Sequence, residues 1–201
     1  MPIKTNREYR AILQPFSVDG TEKRIETDHY FEGYATTFDQ PYFMYEYDGI
    51  KYFEMIERSA LDGADMSDVI MQYDHTGRVR ARMSNGTLYL EPDSHGLFTY
   101  GDLSKSSASR ELFEDISSGL VTKMSWAFTI ADEIYDKSER TRIIKKVRKV
   151  YDVSAVSMPA NDATEISARS YFNGVIERER QELLARLELA KKRYYYFKEL
   201  K

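Results

Sequence analysis

The 201-residue chain contains no cysteine, which removes disulfides, thiol nucleophiles and cysteine-ligated zinc together. It also argues against a small secreted scaffold stapled by disulfides. Histidine occurs only as His29, His75 and His95, with no HExxH pair. An all-histidine metal cage is therefore not expected, and nothing in the chain calls for a cofactor. No run of about 18 apolar residues is present, so no membrane-spanning helix is expected. The opening MPIKTNREYRAIL lacks the apolar centre of a signal peptide, and the expectation is an intracellular protein. Excess positive charge is missing too: the formal net charge of −4 argues against a nucleic-acid binder. What remains is 42% hydrophobic and 31% charged, enough for one core and an appendage but too short for two large domains.

The first third reads as strands and loops: Tyr9 to Val18, then His29 to Phe38 with Gly33 inside it, where a glycine suggests a bulge or a close backbone approach. Asp39 to Phe53 reads as a loop or hairpin, and Ser59 to Asp62 as a capping box opening a short helix. Asp68 to His75 has an apolar middle that fits a buried strand ending in polar residues. Thr87 to Leu90 and Leu97 to Tyr100 flank a Pro-Asp-Ser-His-Gly loop, the pattern of a hairpin. Ser106 or Ser107 caps a helix through Ser118, with Ala108, Leu112, Phe113 and Ile116 at helical spacing and Gly119 as its stop. In Lys123 to Ile130, Met124, Trp126, Phe128 and Ile130 alternate with Lys123, Ser125, Ala127 and Thr129. Ile143 to Met158 gives one or two more strands, Pro159 to Asp162 breaks them, and from Asn173 the chain is helical and charged. The order implies an α+β fold, an antiparallel-rich β-barrel flanked by helices with a long C-terminal helix, rather than alternating βαβ units.

Three residues could carry chemistry. Ser125 sits mid-strand on the small polar face, flanked by large apolar anchors, a good mount for a nucleophile. The same alternation describes any surface serine on a half-buried strand, and that plain reading outweighs the other from pattern alone. His75 could act as a general base or simply hydrogen-bond within its own turn, while His29 and His95 read as surface residues. Asp152 lies in VYDVSAVSM, apolar at both parities. A carboxylate buried there must be partnered, in a structural network or by orienting an imidazole. The basic run Lys137 to Lys149 has no aromatic interleaving and reads as a solvated hairpin face rather than a nucleic-acid patch.

Four segments in order resemble the prohead maturation proteases of tailed bacteriophages, serine peptidases with a fold like that of the herpesvirus capsid proteases. They are Gly33-Tyr34-Ala35 with Phe38, Val69 to His75, Met124-Ser125-Trp126-Ala127-Phe128, and Asp152-Val153-Ser154 running to Pro159-Ala160. Each is short; their order and spacing make the likeness specific, over about residues 7 to 169. The resemblance implies Ser125 as nucleophile, His75 as general base and Asp152 as the orienting third member, a position where the family often has Glu. Asp74 precedes the histidine where Asn is common. By analogy with the herpesvirus enzymes, Met158, Pro159, Ala160 and Asn161 form the loop that would bind the oxyanion.

The expected organisation is a protease domain over 1–170 and a helical tail over 171–201. In the tail, Ile176, Leu183, Leu187, Ala190, Tyr194 and Phe197 recur at spacings of seven, four and three, a seam broken by Arg180. Such a helix is roughly 40 Å long and reads either as a docking or self-association element or as a helix packed on its own body. The resemblance also implies self-cleavage, with Ala168 to Glu177 as the candidate segment. The expected function is an endopeptidase that cleaves the major capsid protein and scaffold segments, then itself, inside the assembling prohead in the host cytoplasm, without metal or cofactor and with a homodimer allowed. The alternative is a non-enzymatic capsid scaffold or assembly module that keeps the protease fold.

Overall fold

The computed structural model describes residues 7–15, 17–18, 23–157 and 162–199. Among these the chain forms a mixed α+β fold whose central feature is a long hairpin. Strands β9 (Lys123–Asp136) and β10 (Thr141–Val156) pair antiparallel from end to end. The turn between them is tied by the Asp136 carboxylate, which accepts from the backbone N–H of Ser138 (2.8 Å) and of Glu139 (3.2 Å). β1 (Glu8–Pro15) adds antiparallel to the outer edge of β9, setting Tyr9 opposite Ala127 and Ala11 opposite Ser125. β10 is long enough to carry two strands on its other edge, both parallel to it. β4 (Ile50–Ile56) pairs with Thr141–Ile144, and β5 (Ile70–Tyr73) with Asp152 and Ala155. β3 (Tyr42–Tyr47) is the hairpin partner of β4, and β6 (Thr76–Arg82) that of β5. The β3–β4 turn is Asp48-Gly49, both with positive φ, as a two-residue hairpin with this twist requires.

A second sheet of three strands has the order β2 (Tyr30–Thr37), β8 (Gly96–Asp102), β7 (Leu88–Pro92). Its backbone approach is close: a Cβ on Gly101 would lie 2.3 Å from the Thr87 carbonyl oxygen, which fixes glycine there. The buried core takes Phe31 and Leu97 from this sheet, Trp126 and Phe128 from β9, and Val150 and Val153 from β10. The Trp126 and Phe128 rings stack at 4.0 Å. Leu112 and Ile116 of α1 (Ser107–Ser117) enter the same cluster. As the sequence predicts, the Ser106 hydroxyl caps α1 by accepting from the Ser109 N–H (3.0 Å), and Gly119 ends the turn at φ 75°.

Several expectations are corrected. The described strands form two open sheets with no closed barrel among them, because β1 and β3 stand at opposite ends of the larger one. The alternation of apolar residues shows which face is buried, not whether the end strands meet. Residues Arg58–Leu61 make a 3₁₀ turn, and no side chain caps it. The Ser59 hydroxyl donates to Glu57 instead, at 3.1 Å. The basic run is not wholly solvated: Arg142, Ile144 and Val147 are buried. The C-terminal helix α2 spans Asp162–Glu199, beginning before Asn173 and passing through the expected boundary at residue 170.

Arg142 is buried because it joins an ionic cluster. Glu54, fully buried, accepts from Arg10 Nη2 (2.8 Å), from Arg142 Nη1 (3.2 Å) and from the Tyr42 hydroxyl (2.5 Å), and Arg10 Nε also donates to it. Glu8 and Glu133 complete the countercharge. Burial alone would lower the Arg10 guanidinium, but Glu54 outweighs it and the net direction is up. Burial first, and Glu54 second, push the Tyr42 phenol well above its ordinary range. The Arg142 guanidinium lies 4.0 Å over the Tyr171 ring of α2, so the cluster also anchors that helix. Next to it Phe172 and Val175 are buried, Phe172 packing on Tyr45 and Tyr52, and Lys137 bonds Glu182 at 2.8 Å. From Leu183 to Tyr196 every residue is exposed. The apolar ones are not confined to the seam, since Leu184, Leu189, Tyr195 and Tyr196 lie off it.

Removing the shared acceptor of this cluster leaves two buried cations with only Glu8 and Glu133 as countercharge. Glu54→Ala is expected to lower stability by about 3–5 kcal/mol, as for other broken buried pairs. Lys137→Ala, which breaks an exposed pair, is expected to cost no more than about 1 kcal/mol. Urea unfolding followed by circular dichroism measures both, and equal losses would refute a structural role for the cluster.

Candidate active site

The site begins with a hairpin turn. Between β5 and β6 only Asp74 and His75 intervene, at φ 49° and 56°. A two-residue turn matching the twist of the strands needs positive φ at both positions, and Asp, Asn and His tolerate it better than other non-glycine residues. The turn is pinned to the end of β10. The Asp74 N–H donates to the Ala155 carbonyl (2.9 Å), while its carboxylate accepts from the Ser157 N–H (2.9 Å) and hydroxyl (2.8 Å). The acidic residue beside the histidine is thus engaged with the backbone beyond β10. His75 lies in the turn, two residues beyond the end of β5.

Held this way, the His75 ring bridges the two central strands. Its Nε2 lies 2.6 Å from Ser125 Oγ on β9, and its Nδ1 contacts Asp152 Oδ1 on β10. The edge of the Tyr9 ring packs on the imidazole at 4.8 Å and 71°. The register explains the convergence: Ser125 faces Ser154 across the ladder and Asp152 faces Ala127, so serine and carboxylate stand two residues apart on one face. All three side chains are nearly enclosed, with Ser125 3% and Asp152 4% exposed and the His75 side chain 4%. The partner that a carboxylate in this buried strand requires is present twice, as His75 and as the Ser154 hydroxyl at 2.7 Å.

The hydrogen-bond directions follow from what each group can do. An ionised carboxylate only accepts, so Nδ1 carries the ring hydrogen, Nε2 presents its lone pair, and the Ser125 hydroxyl donates to it. That chain can take a proton from Ser125 while the resulting imidazolium is stabilised by Asp152. It is an arrangement suited to attack on a carbonyl carbon.

The structure therefore brings Ser125, His75 and Asp152 together. Met158, Pro159, Ala160 and Asn161 lie outside the described residues. His29 and His95 are half-buried rather than on the surface, His29 against Phe113 and His95 against Tyr34. Neither is a member of the hydrogen-bonded chain that joins the three. Among the described residues no group of three or more potential metal ligands occurs, and no helix is long and apolar enough to cross a membrane. A groove of about 460 Å³ lined by Pro41, Phe53, Met55 and Ile143 lies at the far end of the β9–β10 hairpin and contains none of the three. Sequence reasoning missed two neighbours. Ser154 was within reach, because Asp152 and Ser154 must share a face of one strand. Tyr9 was not, because no local pattern pairs β1 with a strand more than a hundred residues away.

Comparison with known proteins gives an independent line of evidence. The model of a family described as caudovirus prohead serine protease matches residues 17–175. The prohead protease of Enterobacteria phage HK97 is 27% identical over 169 residues, covering 82% of this chain and 72% of that protein. No solved structure matches the chain.

The turn makes its own prediction. Asp74→Val puts a β-branched residue at positive φ and removes both Ser157 bonds, and is expected to cost about 1–3 kcal/mol. Asp74→Asn should stay close to wild type, because Asn tolerates the same conformation. Thermal unfolding of both variants checks this, and a Val variant as stable as the Asn variant would show that the turn does not constrain residue 74.

Proposed function

The chain belongs to the caudovirus prohead serine protease family, and from that premise we propose that it is a serine endopeptidase with Ser125 as nucleophile, His75 as general base and Asp152 as the residue that orients the base. The observation that carries this reading is the unbroken hydrogen-bonded chain from Ser125 Oγ through both ring nitrogens of His75 to Asp152. Ser125 Oγ attacks the scissile carbonyl carbon while Nε2 takes its proton. The tetrahedral intermediate collapses as Nε2 returns that proton to the leaving amine, and a water molecule activated by the same nitrogen releases the acyl group. Asp152 fixes the ring tautomer and stabilises the imidazolium. The developing oxyanion needs backbone donors, and we assign these to the segment Met158, Pro159, Ala160 and Asn161, which begins two residues after the end of β10 in the sequence.

Family membership and the name of the HK97 relative support a role as a phage prohead protease acting in the assembling prohead. We infer in addition that the major capsid protein and scaffold segments are its substrates, that it trims itself, and that the setting is the host cytoplasm. The herpesvirus-like fold and a homodimer are likewise inferences, the first from motif order and the second from the exposed outer half of α2. For self-cleavage, the segment Ala168 to Glu177 is helical with Phe172 and Val175 buried. A cut there needs that turn to leave the body and unwind. From Leu183 to Tyr196 the helix is exposed, so a cut there needs local unwinding but no release of buried side chains.

The test compares wild type with Ser125→Ala, both confirmed folded by circular dichroism and weighed intact over a day, alone and with capsid and scaffold proteins co-expressed. Wild type should generate defined products, and the variant none. Identical products from both would sink the assignment of Ser125. No products under any condition, with the chain still folded and assembling, would favour the non-enzymatic module.

A further inference from the structure

We propose that Ser154 is a positioning residue of the same relay, holding Asp152 in line with His75; the proposal rests on the peptidase reading above. Ser154 is fully buried, and its hydroxyl donates to Asp152 Oδ1 at 2.7 Å. That is the oxygen which also takes the His75 Nδ1 hydrogen. Since an ionised carboxylate has no hydrogen to give, the Ser154 O–H direction is fixed.

The placement follows from the ladder. Residues i and i+2 of a strand share a face, so the Ser154 side chain stands beside the Asp152 side chain on β10. The β9–β10 register sets Ser154 opposite Ser125. The hydroxyl is therefore carried by the same pair of strands that carries the nucleophile and the orienting acid. An aspartate swings freely about its terminal torsion, and one bond to His75 leaves that swing open. The second bond, on the same oxygen, closes it. Packing alone does not explain the hydroxyl, because an alanine would fill the site without a polar group needing a partner. The hydroxyls of Thr99 and Thr129, by contrast, are buried without a hydrogen-bond partner and serve no such hold.

The experiment reads Ser125 directly, with a fluorophosphonate probe. Ser125 Oγ bonds to phosphorus, fluoride leaves, and the hydroxyl proton passes to His75 Nε2. Labelling rates are compared for wild type, Ser154→Ala, Ser154→Thr, Asp152→Ala and the Ser154→Ala/Asp152→Ala double variant, each checked for native near-UV circular dichroism. Ser154→Ala is expected to slow labelling about tenfold, the size of one lost hydrogen bond to a charged group. Ser154→Thr should recover most of the rate, and Ser154→Ala should cause no further slowing once Asp152 is alanine, because a residue that acts only through another is not additive with it. A wild-type rate in Ser154→Ala overturns the proposal and leaves the peptidase reading standing. Slowing that threonine fails to recover and that persists without Asp152 marks a packing effect, and also overturns it. If wild-type Ser125 is not labelled at all, the peptidase reading fails and this proposal falls with it.

Discussion

The β9–β10 ladder is the constraint on which the rest of the molecule depends. Every strand of the larger sheet pairs directly or through one neighbour with it, and its register decides which side chains meet. Its inner face carries Met124, Trp126 and Phe128 into the core, and its other face carries Ser125, Asp152 and Ser154. A slip of one residue between the two strands would turn one strand's site residues inward and its apolar anchors outward. Burial of Trp126 and Phe128 therefore stabilises the site geometry as well as the fold. Enclosure of the three groups then strengthens each charge-assisted contact, since the surrounding dielectric is low.

The second organising element is ionic. Glu54 gathers Arg10 from β1, Arg142 from β10 and Tyr42 from β3, so one carboxylate ties four strands, counting its own. Such a cluster has a large desolvation penalty and is weak evidence of net stability, but its geometry is specific. Arg10 neighbours Tyr9, whose ring packs on His75, while Arg142 lies over Tyr171 at the base of α2. The cluster thus contacts the C-terminal helix through Tyr171 and is joined along β1 to the residue that packs on His75. It anchors the inner part of α2, which is tied down as far as Glu182, whereas every residue from Leu183 to Tyr196 is exposed.

Much of this was legible in the sequence where the cause was local. The alternation around Ser125, the serine cap and glycine stop of α1, and the hairpin around Pro92 to Gly96 are short-range patterns, and the structure follows them. What failed was non-local, or rested on too little chain. The Ser59 box had the right letters but only a single tight turn to cap. The start of α2 lay eleven residues upstream of the shift to charged residues, in a stretch whose β-branched and aromatic residues hide a helix. Arg142 read as solvated because its countercharges lie on three other strands. Sheet closure and the parallel seating of β4 and β5 on one edge leave no mark in any single segment. The grouping of Ser125, His75 and Asp152 came from motif order, and composition alone would have left each with an ordinary structural explanation.

The left-handed turn at Asp74 and His75 has a consequence for how such a molecule ages and fails. A residue held at positive φ is a loaded catch, stable only while its surroundings hold it shut. Here the surroundings are two Ser157 bonds, one backbone bond to Ala155, the edge of Tyr9 and the imidazole's own bonds to Ser125 and Asp152. These contacts all sit at the turn and the end of β10, outside the Trp126 core, so opening of that end alone would release the turn while leaving the core packed. The imidazole then relaxes to an easier backbone angle and drops out of line with the serine. The alignment of the three side chains thus depends on a local backbone constraint that the Trp126 core does not itself supply.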